Sequence, residues 1–130
     1  MTDRPKIAVR GIDHINIETR DLAASIAFYD ELFGLKPGWR PVFDVPGAWL
    51  YAAGKAVVHL VERPDAPHAN ERPVNHFAFQ ANGLQQLEQK LQSRGLHYDK
   101  TFVPGTEIVQ IFVRDPNNVG VECSFADALS

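Results

Sequence analysis

Gly11-Ile12-Asp13-His14-Ile15-Asn16-Ile17 decides the fold of this chain, because its pattern is written twice. At period 2 it splits into an apolar face, Ile15 and Ile17 with Val9 behind them, and a polar face of His14, Asn16 and Glu18. Ile12 falls on the polar side, so the alternation is imperfect. A strand that turns a histidine away from its packed face either edges solvent or lines a cleft. Val74-Asn75-His76-Phe77-Ala78-Phe79-Gln80 does the same again, with Phe77 and Phe79 on one face and His76, Ala78 and Gln80 on the other. The two histidines stand 62 residues apart.

The segments after the two histidine strands are also alike. After a loose leader over 1–6, a strand over 8–18 ends at Thr19-Arg20-Asp21, and Asp21 is a good N-cap for a helix over 22–33. Ile26, Tyr29 and Phe33 form its apolar stripe and Gly34 its stop. Residues 39–45, 48–52 and 56–62 read as three further strands, punctuated by Pro46-Gly47 and by a tight hairpin at Gly54-Lys55. Residues 63–73, with three prolines and His68, form the one linker. The second histidine strand, over 74–81, then leads to Asn82-Gly83 and a helix striped by Leu84, Leu87 and Leu91. Gln85 is placed as a capping partner for Asn82, and Gly95 ends the helix. Strands come next over 96–103, 107–114 and 119–125, with turns at Pro104-Gly105 and Asp115-Pro116-Asn117-Asn118. The expected architecture is one α+β domain over 1–130 made of two βαβββ modules, about 7–62 and 74–126. Each sheet carries a helix on one face and leaves the other free to curve around a cleft.

Composition narrows the function. With 130 residues the chain buries enough surface to need no staples. A net charge of −3 gives no basic footprint for nucleic acid. The start lacks the apolar core of a signal peptide, and no stretch is long enough to cross a bilayer. Cys123 is the single cysteine, so no internal disulfide forms. The expectation is a cytoplasmic protein with a small-molecule partner, bound to neither nucleic acid nor membrane.

The last strand of each module completes a constellation. His59 is the polar residue of Val57-Val58-His59-Leu60-Val61, and Glu122 that of Gly120-Val121-Glu122-Cys123-Ser124, 63 residues later. His14, His59, His76 and Glu122 therefore occupy matching places in the two repeats. A pseudo-two-fold axis through the cleft would gather them. Imidazole and carboxylate together suit one divalent ion per site, whether zinc, iron(II), manganese, nickel or cobalt. Glu122 in particular needs a partner, since it lies between apolar neighbours. His68 and His97 look like ordinary loop residues, and Cys123 faces away from Glu122 into the core.

The residues Gly11-Ile12-Asp13-His14-Ile15, Ala27-Phe28-Tyr29-Asp30-Glu31-Leu32-Phe33-Gly34-Leu35, Val58-His59-Leu60, Asn75-His76-Phe77-Ala78-Phe79, and Arg114-Asp115-Pro116-Asn117-Asn118 leading to Val121-Glu122 together resemble the vicinal oxygen chelate superfamily. That group holds glyoxalase I, extradiol ring-cleavage dioxygenases, fosfomycin-resistance transferases, methylmalonyl-CoA epimerase and bleomycin-resistance binders. The resemblance covers nearly the whole chain and implies the paired βαβββ fold. It also implies that His14, His76 and Glu122 hold the metal and that His59 takes the fourth position. Glyoxalase I usually has a carboxylate there, and a histidine near that strand handles protons in ring-cleaving dioxygenases. His59 thus stands between ligand and acid/base. Arg40-Pro41-Val42-Phe43 followed by Gly47-Ala48-Trp49-Leu50-Tyr51 is similar to a glyoxalase-like subgroup. In family members of this length two chains commonly pair, so that first-half ligands of one meet second-half ligands of the other. The expectation is a homodimer with sites at its interface, although a one-chain site stays open.

Three readings fit these residues. The first is a metal-dependent glyoxalase-like lyase or isomerase that chelates two neighbouring substrate oxygens and moves a proton next to a carbonyl. There Glu122 would be ligand and base, Arg40 would bind an anionic substrate tail, and Trp39, Phe43, Trp49 and Phe112 would wall the pocket. The second is an iron(II) extradiol-type dioxygenase with His59 as proton shuttle. The third is a metal-free small-molecule binding or resistance protein.

Overall fold

The structure is a computed structural model that describes residues 11–67 and 76–126. Residues 8–10 of the first expected strand, Val74 and Asn75 of the second histidine strand, and the part of the linker that holds His68 lie outside them. The element order is β1 (Ile15–Thr19), α1 (Leu22–Phe33), β2 (Lys36–Gly38), β3 (Gly47–Ala52), β4 (Lys55–Glu62), then β5 (His76–Gln80), α2 (Leu84–Ser93), β6 (Asp99–Phe102), β7 (Val109–Arg114) and β8 (Gly120–Phe125). This is βαβββ twice. One sheet runs β1-β4-β3-β2 and the other β5-β8-β7-β6. In each, the outer strand that precedes the helix pairs in parallel with the last strand, and the remaining pairs are antiparallel.

Local chemistry sets the helix bounds. Asp21 is extended and accepts the Ala24 amide at 3.0 Å, while Gly34 takes the left-handed conformation (φ 69°) that ends α1. Ser25, Tyr29 and Leu32 are the fully buried residues of α1, and Ile26 and Phe33 of the expected stripe pack half-buried against the same core; Ser25 accepts a hydrogen bond from Asn117. α2 is capped at Gly83 with no side-chain hydrogen bond, so the expected Asn82–Gln85 capping pair does not form. The second strand of the first module is also displaced. It forms at Lys36–Gly38, directly after the helix, and residues 39–46 are loop, since Pro41 and Pro46 have no N–H to give to a ladder. Tyr51 Oη pins that loop by donating to the Trp39 carbonyl at 2.7 Å.

The inner faces of both sheets share one core. Ile17, Leu50, Val58 and Leu60 come from the first sheet, and Ile111, Val121, Cys123 and Phe125 from the second, with Tyr29, Leu32, Leu87 and Leu91 of the helices among them. At its centre lies a polar joint between the modules. Tyr29 Oη donates to Asp115 Oδ2 at 2.7 Å, and Asp115 Oδ1 accepts the amides of Asn117 and Val119, both at 2.8 Å. Asn117 Nδ2 donates to Ser25 Oγ at 3.0 Å, and Ser25 shares a hydrogen bond with Thr19. These side chains are buried, which they tolerate because each of them is hydrogen-bonded. Burial, helped by the nearby Asp115 carboxylate, pushes the Tyr29 hydroxyl well above its usual range. No helix among the described residues is long and apolar enough to cross a membrane.

Candidate functional site

Strand alternation fixes where the predicted site residues go. With Val58 and Leu60 buried inward, His59 faces outward, and with Val121 and Cys123 inward, so does Glu122. Pairing then lays the outward residues in rows. Asn16, His59 and Trp49 form one row of the first sheet, and Glu18, Val61 and Gly47 the next. The second sheet shows His76, Gly120 and Arg114, then Ala78, Glu122 and Phe112, then Gln80, Ser124 and Gln110. The rows correspond across the repeat, with His59 matching Glu122 and Trp49 matching Phe112. This register absorbs the difference between the 62- and 63-residue spacings.

On the first sheet the rings form a stack. The His14 and His59 centroids are 3.8 Å apart with planes 8° from parallel, and His59 and Trp49 are 4.1 Å apart at 14°. Trp39 meets Trp49 edge-on at 5.9 Å and Phe43 lies at 6.4 Å, so three of the four expected wall aromatics do gather. His59 is thus clamped between two rings that cover both its faces, with the Ala56 backbone beside its edge. Asp13 Oδ2 lies 2.7 Å from His14 Nδ1. That contact puts the proton on Nδ1 and leaves the Nε2 lone pair for a ligand. The same bond holds the Asp13 carboxyl below its usual range. Burial first, and the neighbouring His14 ring second, lower the His59 pKa, which favours its neutral imidazole. A pocket of about 540 Å³ opens beside the stack, with Asp13, Tyr51 and Lys55 among its walls.

Arg40 lies on the same side, half-buried. Its Nη2 donates to the Val45 carbonyl at 3.0 Å and its guanidinium carbon sits 4.7 Å over the Phe43 ring. Gly47 makes room for it, since a Cβ there would run into both the Leu60 carbonyl and the guanidinium. Arg40 Nε is buried and has no hydrogen-bond partner among the described residues.

The second sheet carries the other two ligand candidates. His76 lies 6.1 Å from the Phe112 ring, edge to face, and Gly120 stands between them: a Cβ there would lie 2.5 Å from Phe112 and 2.7 Å from His76. Phe112 is therefore next to His76, away from Trp39, Phe43 and Trp49, and the expected four-aromatic wall is divided between the two sheets. Glu122 is half-buried on the same face.

The two half-sets point away from the shared core, on separate faces. Among the described residues no group of three or more His, Cys, Asp or Glu side chains comes together within one chain. The donors nevertheless fit a borderline divalent ion by type, with a neutral clamped imidazole, an oriented imidazole and a carboxylate among them. What sequence reasoning missed is the Tyr29–Asp115 joint and the Gln80-Ser124-Gln110 row. The row could have been found by running the period-2 pattern one step further along each strand.

The Glyoxalase/Bleomycin resistance protein/Dioxygenase superfamily model matches residues 11–123. The chain belongs to that superfamily. Among relatives, it is 28% identical over 126 residues to "Glyoxylase I 4" of Arabidopsis thaliana, covering 91% of this chain and 72% of that protein. Solved superfamily folds superpose well. A glyoxylase/bleomycin resistance protein/dioxygenase domain from Frankia sp. EAN1pec has a TM-score of 0.77 at 22% identity, with 95% and 96% of the two chains covered. A variant of the fosfomycin resistance protein FosX from Listeria monocytogenes, solved with Mn(II) and a dihydroxypropylphosphonic acid, has a TM-score of 0.71 at 21% identity, with 94% and 96% covered. Superfamily members commonly bind a divalent metal, act on small molecules and form dimers.

Proposed function

We propose that this protein is a divalent-metal-dependent, glyoxalase-like lyase or isomerase. In this reading residues 1–130 act as one domain, and two chains pair so that His14 and His59 of one meet His76 and Glu122 of the other. The observation that carries it is the matched placement of two ligand-capable side chains on each outward sheet face, with neither half-set complete in itself.

A bound divalent ion would supply Lewis acidity to two neighbouring substrate oxygens. The chain's own residues do the rest. Asp13 holds the His14 proton on Nδ1. The stacked rings of His14 and Trp49 fix the edge of His59, whose neutral imidazole can take a proton near pH 7. The Glu122 carboxylate is the second proton acceptor, placed to draw a proton from the carbon beside a carbonyl. Arg40, with its guanidinium seated on Gly47, gives an anionic substrate tail a positive end to meet, and Trp49 and Phe112 flank the substrate on the two sheets.

The test is metal content of protein purified without chelators, set beside His76→Ala and Glu122→Ala. One metal per chain, lost in both variants, is the expected outcome. Iron would move the assignment to the extradiol-type dioxygenase, and no metal even after titration would leave a binding protein. Mixing unfolded His59→Ala with Glu122→Ala and refolding them together examines the pairing. Heterodimers then regain one intact site, about one quarter of all sites in a statistical mixture. A site within one chain regains none.

A further inference from the structure

We infer that the far end of the second sheet's outward face is a recognition site for an uncharged hydrogen-bonding group, a carboxamide or a hydroxyl. Gln80, Ser124 and Gln110 stand in register across β5, β8 and β7 as one row, and Asn82 continues from β5 toward α2. A pocket of about 540 Å³ opens there, walled by Gln80, Asn82 and Ser124 with Ala81, Ile108 and Ala126. That volume is in the range of small-molecule sites. None of the lining side chains carries a formal charge, so a carboxylate or phosphate finds no counter-ion among them. The Gln80 and Asn82 amides make no hydrogen bond to other described residues, and Gln110 Nε2 reaches Ser124 Oγ only at 3.5 Å. Each amide offers two donors and an acceptor, and the serine both roles. Their apolar neighbours supply contact area without competing polar groups.

The repeat makes this more than a dip in the surface. The matching row of the first sheet is Glu18, Val61 and Gly47, and the protein fills it with its own groups. Arg63 pairs with Glu18 at 3.8 Å, and Arg40 lies over Gly47. In the second sheet the equivalent positions hold neutral polar side chains, and the described residues leave the space open. Ser124 is two residues from Glu122 on the same face, roughly 7 Å along the strand. A small molecule held at Glu122 and His76 would extend its remote end into the amide row. The inference thus rests on the reading of that face as the substrate face.

The test is NMR of the ¹⁵N-labelled full chain, following the side-chain NH₂ signals of Gln80 and Asn82. N-acetylglycinamide and glucose are the neutral probes, and acetate and inorganic phosphate the charged ones. Saturable shifts with N-acetylglycinamide assign the site to carboxamides, and with glucose to hydroxyls; either outcome supports the inference. Ser124→Ala and Gln80→Ala should each weaken the response roughly threefold to tenfold. Shifts as large with acetate or phosphate overturn the chemistry, and no saturable shift with any probe overturns the site. Metal uptake, read on the same samples, separates the two claims. Normal uptake without amide shifts sinks this inference alone, while amide shifts without uptake sink the metal reading alone.

Discussion

The two sheets of this protein are interchangeable on their inner faces and divergent on their outer ones. Inward, each contributes buried apolar residues at matching positions, Val58 and Leu60 in one and Val121 and Cys123 in the other. Outward, the first sheet stacks three rings and covers its far row with Arg40, whereas the second sets a carboxylate and an edge-on phenylalanine beside an open row of amides. The inner faces meet the same helices and share one core, so packing holds them alike. The outer faces belong to no shared core, and there the two copies differ, one toward stacked nitrogen donors, the other toward a carboxylate beside an open row of amides.

The largest effect should come from breaking what the inner faces share. Asp115→Ala removes the acceptor for Tyr29 Oη and for the Asn117 and Val119 amides at once. Buried donors left unmatched cost about 1–3 kcal/mol each, so the loss is expected near 4 kcal/mol in urea unfolding. Tyr29→Phe, which leaves only a carboxylate acceptor partly unfilled, should cost about 1–2 kcal/mol. A loss below 1 kcal/mol for Asp115→Ala would show that the joint does not hold the modules together.

A sharper form of the same comparison lies on one strand, where Glu122 faces out and Cys123 in. Burial pushes the Cys123 thiol up to about 11, from 9.0 for a free thiol. Near pH 8 that leaves roughly a hundredfold less thiolate, and Ellman's reagent should react with the native protein slower by about that factor than with the urea-unfolded chain. The folded state keeps the proton longer than the unfolded one, so this contribution to stability is full below pH 9 and lost as pH rises toward 11. Equal reaction rates in the folded and unfolded protein would place Cys123 outside the core.

Much of this was legible in the sequence because alternation and caps are local. Asp21 and Gly34 bound α1 at the expected residues, and the His14 and His76 strands announced the repeat. Two kinds of feature were not legible. The second strand appears at Lys36–Gly38 because prolines farther on withhold their N–H groups, a negative signal that an aromatic-rich stretch such as 39–45 outweighs when read alone. The ring stack and the Tyr29–Asp115 joint depend on register and on contacts 45 and 86 residues apart, which no periodicity encodes. For the site, sequence spacing singled out His14, His59, His76 and Glu122 as equivalent positions, and the pairing registers set His59 beside Trp49 as they set Glu122 beside Phe112. That the two pairs face apart within a chain follows only from the shared core.

The outer faces yield the finest contrast, between the aromatic neighbours Trp49 and Phe112. They are equivalent in the repeat, yet Trp49 lies flat on His59 at 4.1 Å while Phe112 meets His76 edge-on at 6.1 Å. A ring whose face is taken by a histidine has less to offer a substrate and more to do in fixing that histidine's edge. Groups that orient a ligand affect metal affinity by about tenfold or more when removed. Trp49→Ala is therefore expected to weaken Co(II) binding, followed by its visible absorption, by roughly tenfold, with Trp49→Phe recovering most of the loss. Phe112→Ala should cost only about threefold, the worth of one edge-on aromatic contact. Circular dichroism of each variant separates these changes from misfolding. Equal losses at the two positions would mean that the stack is packing and that neither aromatic orients a ligand. A larger loss at Phe112 would reverse the assignment, making the second sheet the rigid half of the site.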